Sequence, residues 1–369
     1  MTIKKEELYK FPFTTFNNPA GWIEPTTFCQ LKCPDCYRGT DRDDFVPAHR
    51  DIGDVIKEID KLIKIRNIQT LSISGGEPLL YPYLDEIVKH AVKKRLKVLI
   101  DTNGMLLDET RLIDLKNSGV ARIVVHIDKY QNRESIDNET DANKLREEYC
   151  NLFRKVGGVS LGFIMPISGD NYNDLEIIVP FIKNNADIID VCFFTILSQV
   201  FSDRPLPDKM LIDSNKVFER VKELYGLEYC AYIEKKLSGD ISWIFSGNIF
   251  AGKKFLGSVD KDVAKFIQEE NYKKRKQYVL IQDNNLSSTK FFLYQLINKS
   301  TRKILFKYLK NRMKGKVSTQ IISVACAPQK KDSPYEYCDS CPNAILYNNN
   351  LVPCCFLEKV KSGADIKLN

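Results

Sequence analysis

The sequence predicts an α/β fold, a partial (β/α)6 barrel of the TIM type followed by a C-terminal cysteine-rich module. Three observations carry this. From Trp22 to about Thr195, short β-rich runs alternate with amphipathic helical stretches, the pattern of parallel strands joined by helical crossovers. After about Val200 that alternation fades into a basic, aromatic composition. The last 44 residues then gather five of the chain's eleven cysteines.

Six strands are expected, at Trp22–Thr26, Thr70–Ser74, Lys97–Asp101, Arg122–Ile127, Ser160–Met165 and Asp190–Thr195. Between the first two, Val55, Ile56, Ile59, Leu62 and Ile63 recur at helical spacing and give one apolar face to lay on a sheet. Further crossover helices are expected over Tyr83–Arg95, Asp108–Asn117 and Asn143–Val156. A repeated βα unit closes or half-closes into a barrel, with ligand loops at the strand C-terminal ends. From Phe250 to Lys316 the net charge is +12, against +7 for the whole chain, which leaves the rest at −5. Within it, Phe291–Met313 reads as basic amphipathic helix. Its outer face could be simply solvated, or could meet an anionic lipid surface, a peptide or nucleic acid; no familiar motif for reading nucleic acid accompanies it, and none is expected as a partner.

With 369 residues the chain can be one large α/β unit with an appended module, or two domains. The expected organisation is a lead-in over 1–21, the barrel core over 22–200, a basic and aromatic helical region covering the substrate site over 201–320, and the cysteine module over 321–369. No apolar run approaches the roughly 20 residues of a membrane span. Met1–Phe13 lacks the apolar core of a secretory signal, so a cytoplasmic location is expected. There, cysteines are mostly thiols or metal ligands.

Cys29, Cys33 and Cys36 form C-x3-C-x2-C in the loop after the first strand. Three thiolates at this spacing can hold three irons of a cubane [4Fe-4S] cluster and leave the fourth open to a substrate. Zinc would need a fourth ligand, and no further Cys or His lies close by. Ser74-Gly75-Gly76-Glu77-Pro78 follows the second strand, Asp101-Thr102-Asn103-Gly104 ends the third, and His126-Ile127-Asp128 ends the fourth. Glycines let backbone approach a ligand, Glu77 can accept from an ammonium, and Pro78 stiffens the turn.

Taken in this order, from Trp22 to Thr195, these segments resemble the radical S-adenosylmethionine (SAM) superfamily. The resemblance implies a cluster on Cys29, Cys33 and Cys36 that chelates SAM and reductively cleaves it to a 5′-deoxyadenosyl radical. It further implies SAM contacts from Ser74 to Pro78, from Thr102 and Asn103, from His126 and Asp128 if these are not merely a satisfied strand-end pair, and from Phe193 and Phe194 if these are not core. The residue before the third cysteine is commonly aromatic in the family. Here it is Asp35, and the aromatic Tyr37 follows; both are carried as cofactor-contacting candidates.

Cys326, Cys338, Cys341, Cys354 and Cys355 follow the pattern C-x11-C-x2-C-x12-C-C. Alone this could be a zinc ribbon. After such a core it resembles the SPASM or twitch extensions that carry auxiliary clusters, which implies one auxiliary [4Fe-4S] cluster on Cys326, Cys338 and Cys341, completed by Cys354 or Cys355. Cys150, Cys192 and Cys230 are expected to be buried thiols. The expected function is hydrogen abstraction from a small-molecule or lipid biosynthetic intermediate, with net oxidation, cyclisation or bond formation, electrons arriving from a flavodoxin- or ferredoxin-type reductant, and peripheral membrane contact through the basic segment. The alternatives are a peptide maturase, for which the 21 residues before Trp22 are too few to form the usual winged-helix peptide-binding domain, and a non-catalytic iron–sulfur electron carrier.

Overall fold

The computed structural model describes residues 3–34, 36–134, 136–197, 206–280, 298–310, 317–326 and 336–363. A short strand β1 (Tyr9–Lys10) precedes the alternating unit: β2 (Ala20–Thr26), α1 (Ile52–Arg66), β3 (Thr70–Gly75), α2 (Leu84–Lys93), β4 (Lys97–Thr102), α3 (Glu109–Ser118), β5 (Val120–His126), α4 (Glu139–Val156), β6 (Ser160–Ile167), α5 (Leu175–Asn184) and β7 (Ile189–Ile196). Local chemistry sets the boundaries. The Asp51 carboxylate caps α1 by accepting from Asp54 N, and Asp108 caps α3 through Arg111 N. Gly119 ends α3 at φ 99°, the left-handed conformation that glycine adopts without penalty.

Strands β2 to β7 pair in sequence order, all parallel. One face carries Ile73, Ile100, Ile123, Phe163 and Phe194 against the apolar stripes of the crossover helices. The other carries Val124, Ile164, Val191 and Phe193, which pack with Phe11 and Phe13 of the lead-in. This is the partial TIM-type barrel that the sequence predicts.

The span 201–320 departs from the expected helical cover. It contains α6 (Ser214–Tyr225), β8 (Ala231–Glu234), β9 (Ile241–Ala251), β10 (Lys254–Ser258), α7 (Lys261–Arg275) and the start of β11 (Val317–Cys326). Strand β11 lies parallel to β7 and antiparallel to β9, so the sheet continues through this region. Period-2 alternation is missing because β9 is buried almost throughout and β11 over its last seven residues. Part of their buried polar complement is satisfied internally: Gln320 donates to the Ile182 and Ile189 carbonyls at 3.0 and 2.8 Å, and Asn248 Oδ1 accepts from Ser258 Oγ at 2.7 Å, while Asn248 Nδ2 and Ser323 Oγ have no hydrogen-bond partner among the described residues. Of the expected basic amphipathic segment, a helix over Lys299–Lys310 is described; it buries Thr301 and Ile304, and residues 291–297 and 311–313 lie outside the described residues.

The C-terminal part is a hairpin of β12 (Ala344–Tyr347) and β13 (Asn350–Pro353), then a short helix over Leu357–Lys361. It packs on β2 through Trp22, Ile345, Val352, Phe356 and Leu357. Among the described residues no helix is long and apolar enough to cross a membrane.

Candidate active site at the strand C-terminal ends

Parallel strands deliver their C-terminal ends to one side, and loops there can converge. A cavity of about 370 Å³ opens at that side. Its wall includes all eight clustered cysteines, Cys29, Cys33 and Cys36 from the loop after β2, and Cys326, Cys338, Cys341, Cys354 and Cys355 from the C-terminal part. Strand β11 explains the meeting. As the parallel neighbour of β7 it acts as a seventh ring strand, and its last residue is Cys326.

The first cysteine loop is anchored at the end of β3. Gly76 N donates to Thr26 O at 3.0 Å and Glu77 N to Phe28 O at 2.6 Å. A Cβ on Gly75 would lie 2.5 Å from Thr26 O, and one on Gly76 would lie 2.3 Å from Phe28 O, so only glycine permits this approach. Glu77 does not line the cavity. Its fully buried carboxylate accepts from Leu79 N at 2.9 Å, Thr102 Oγ1 at 2.6 Å and Asn103 N at 2.7 Å. Burial pushes this carboxyl up, and those three donors together with nearby Arg133 pull it back. In this placement Glu77 pins the Thr102–Asn103 loop. Asn103 in turn donates from Nδ2 to Cys29 Sγ at 3.7 Å.

His126 and Asp128 both line the cavity and form a strand-end pair, with Nε2 2.5 Å from Oδ2. Burial raises the Asp128 carboxyl, but the His126 imidazole and Tyr130 N–H outweigh it and hold the group below its ordinary value. Ser74, Gly75, Gly76, Thr102, Asn103 and Tyr37 also line the wall. Pro78, Phe193 and Phe194 do not. Phe194 is buried in the helix-facing core and Phe193 meets Trp243 edge-on at 6.3 Å, because β7 runs past them and presents Thr195, Ile196 and Leu197 instead. Asp35 lies outside the described residues. Cys150, Cys192 and Cys230 are buried and away from the cavity.

Four residues were not singled out from the sequence. Ser242 Oγ and Trp243 Nε1 approach Cys338 Sγ at 3.0 and 3.3 Å, and hydrogen bonds from Cys341, Ser242 and Trp243 outweigh burial and hold that thiol below its ordinary value. Arg133 donates to the Asn103 carbonyl and, from Nε, to Gln131 Oε1 at 2.9 Å, which places a half-buried cation near Cys33. Arg66, fully buried, donates to the Cys341 carbonyl and to Ala344 O. Apart from Arg133 with Gln131, two positions away, these contacts span 30 residues or more, and no local pattern announces them.

These residues fit iron–sulfur clusters. In the first loop burial pushes the Cys33 thiol up, and Cys36 and Cys29 add to it by proximity, an arrangement that cationic iron relieves. In the second, Arg66 brings to the cysteine loop a buried guanidinium that pairs with no carboxylate among the described residues. Among the described residues no three His, Cys, Asp or Glu side chains converge to hold a single ion. A cubane takes one thiolate at each iron, and the cysteines of both groups line the common cavity where such thiolates would be needed.

Residues 23–182 match the profile of the radical SAM superfamily. The chain is similar to a GTP 3′,8-cyclase of Helicobacter pylori, 30% identical over 153 residues, covering 39% of this chain and 46% of that protein. It is also similar to an AdoMet-dependent heme synthase of Methanosarcina barkeri, 38% identical over 116 residues, covering 31% of this chain and 32% of that one. The matched segment thus spans at most about half of these relatives. Among solved structures, Streptococcus suis SuiB superposes with a TM-score of 0.43 at 18% identity, over 56% of this chain and 46% of that chain.

Proposed function

We propose that this chain, whose residues 23–182 are a radical SAM domain, is an enzyme that takes hydrogen from a small-molecule or lipid biosynthetic intermediate, with one cluster on Cys29, Cys33 and Cys36 and an auxiliary cluster on the C-terminal cysteines. The observation that carries the reading is the single cavity shared by both cysteine groups. When bound, the first cluster and SAM supply reductive cleavage and hydrogen abstraction; the chain's own residues position them.

Glu77 fixes the Thr102–Asn103 loop, and Asn103 holds Cys29 from below. Gly75 and Gly76 leave backbone within reach of a ligand's amino group. Asp128, kept ionised and oriented by His126, offers an acceptor to a ribose or substrate hydroxyl. Leu31, Ile164, Pro166, Ile196, Leu197 and Met210 give the wall the apolar lining, set with a few polar groups, that suits a small organic substrate.

The test is anaerobic reconstitution of the wild type and of a Cys29, Cys33, Cys36 triple-alanine variant, with iron and sulfide analysis and a dithionite assay for 5′-deoxyadenosine. The proposal expects deoxyadenosine from the wild type alone and about four irons left in the variant. Full iron loading without SAM binding overturns it.

A further inference from the structure

We infer that Arg66 is the countercharge of the auxiliary cluster, a positioning residue supplied by the barrel that raises the cluster's reduction potential. This rests on the proposal that the C-terminal cysteines hold a cluster.

Arg66 is the last residue of α1, and it reaches out of the barrel into the loop that follows Cys341. Its Nη2 donates to the Cys341 carbonyl and its Nη1 to Ala344 O at 3.4 Å. Its own carbonyl accepts from Asn18 N at 3.0 Å, and Asn18 Nδ2 donates to Ser340 O at 2.8 Å. The segment 340–344 is thus clamped to the barrel by one asparagine and one arginine.

The guanidinium has no exposure, its Nε has no hydrogen-bond partner among the described residues, and no carboxylate there pairs with it. The other deeply buried arginines are paired. Arg146 meets Glu139 at 2.7 Å, Arg122 meets Asp190 at 2.6 Å, and Arg38 meets Glu24 at 3.0 Å and Glu358 at 2.8 Å. Taking a lone cation out of water is costly unless an anion balances it. Carbonyl oxygens supply dipoles, not charge. A cubane on four thiolates is net negative and gains one more negative charge on reduction. A cation held on the Cys341 carbonyl therefore favours the reduced state and lifts the potential.

The experiment is an EPR-monitored redox titration, with mediators and dithionite, of the reconstituted full chain in the Cys29, Cys33, Cys36 triple-alanine background, comparing Arg66, Arg66→Met and Arg66→Lys. Arg66→Met should keep its iron and titrate lower, the reduced-to-oxidised ratio at the parent midpoint falling about tenfold, or 59 mV for a one-electron couple. Arg66→Lys, which keeps the charge, should stay near the parent. An unchanged midpoint in Arg66→Met overturns the inference. If Arg66→Met loses its cluster, Arg66→Lys decides: a retained cluster near the parent midpoint supports the countercharge, and loss there too overturns it in favour of hydrogen-bond geometry. Absence of iron from the Arg66 parent in this background is a separate result, which removes the auxiliary cluster itself.

Discussion

At the scale of single residues, the motif positions are legible because they are contiguous, but what each side chain does is not. Glu77 shows the gap, since its place in the sequence suggests a ligand contact and its hydrogen bonds serve a loop. Replacing it with Ala strands the buried Asn103 N–H and Thr102 hydroxyl and the half-buried Leu79 N–H, a loss of about 3 kcal/mol. Glu77→Ala should therefore lower the thermal midpoint and weaken SAM binding at least tenfold by calorimetry, with Glu77→Gln between the two. Asp101 carries a pH signature. Burial lifts its carboxyl from 3.8 to about 7 despite Arg122 nearby. A carboxyl raised on folding costs nothing below its unfolded pKa, and the penalty for ionising it grows up to the folded pKa and then levels off. Asp101→Asn should thus be increasingly stabilising relative to wild type from about pH 4 to about 7, by up to a few kcal/mol, and constant above. Equal midpoint differences at pH 5 and pH 8 in thermal melts would remove this account.

At the scale of elements, β2 to β7 and four of their crossover helices are readable because short β-rich runs alternate with helical stretches that carry one apolar face. Helix α5 is obscured by Pro180 within it, and β9 and β11 by burial without alternation. Of the expected basic segment, the described part is helical. The helix over Lys299–Lys310 turns Arg302, Lys303, Phe306, Leu309 and Lys310 outward, with Phe306 65% and Leu309 62% exposed, and contains no acidic residue. Cations flanking two exposed apolar side chains suit an anionic lipid surface better than a nucleic acid, which would not need the apolar pair. Co-sedimentation with phosphatidylserine vesicles should fall about fivefold for each cation replaced by Gln, at about 1 kcal/mol per charge, and should also fall in Phe306→Ser with Leu309→Ser. Binding unaffected by the double serine variant points to a solvated face.

At the scale of the whole molecule, both cysteine groups share one cavity because the C-terminal hairpin is locked to the loop that carries the first group. Arg38, two residues after Cys36, is 3% exposed and bridges Glu24 on β2 and Glu358 on the terminal helix. Trp22 Nε1 and Tyr37 Oη donate to the other Glu24 oxygen at 3.0 and 3.1 Å. Nothing in the sequence links positions 24, 38 and 358, so this docking is visible only once the chain is folded. Removing one member of a buried ion network leaves an uncompensated charge and costs about 3–5 kcal/mol. Here the loss falls on the attachment of the hairpin, since the network joins β2 to the terminal helix, while Ala344 and Leu351 of the hairpin also pack into the main core. Arg38→Met should therefore release the C-terminal part before the barrel. In metal-free protein, alkylation followed by mass mapping should find Cys338, Cys341, Cys354 and Cys355 labelled much faster than in wild type, while Cys150, Cys192 and Cys230 stay protected until global unfolding. Uniform labelling of all these thiols would mean that the module and barrel unfold as one unit, and that Arg38 stabilises the whole rather than the joint.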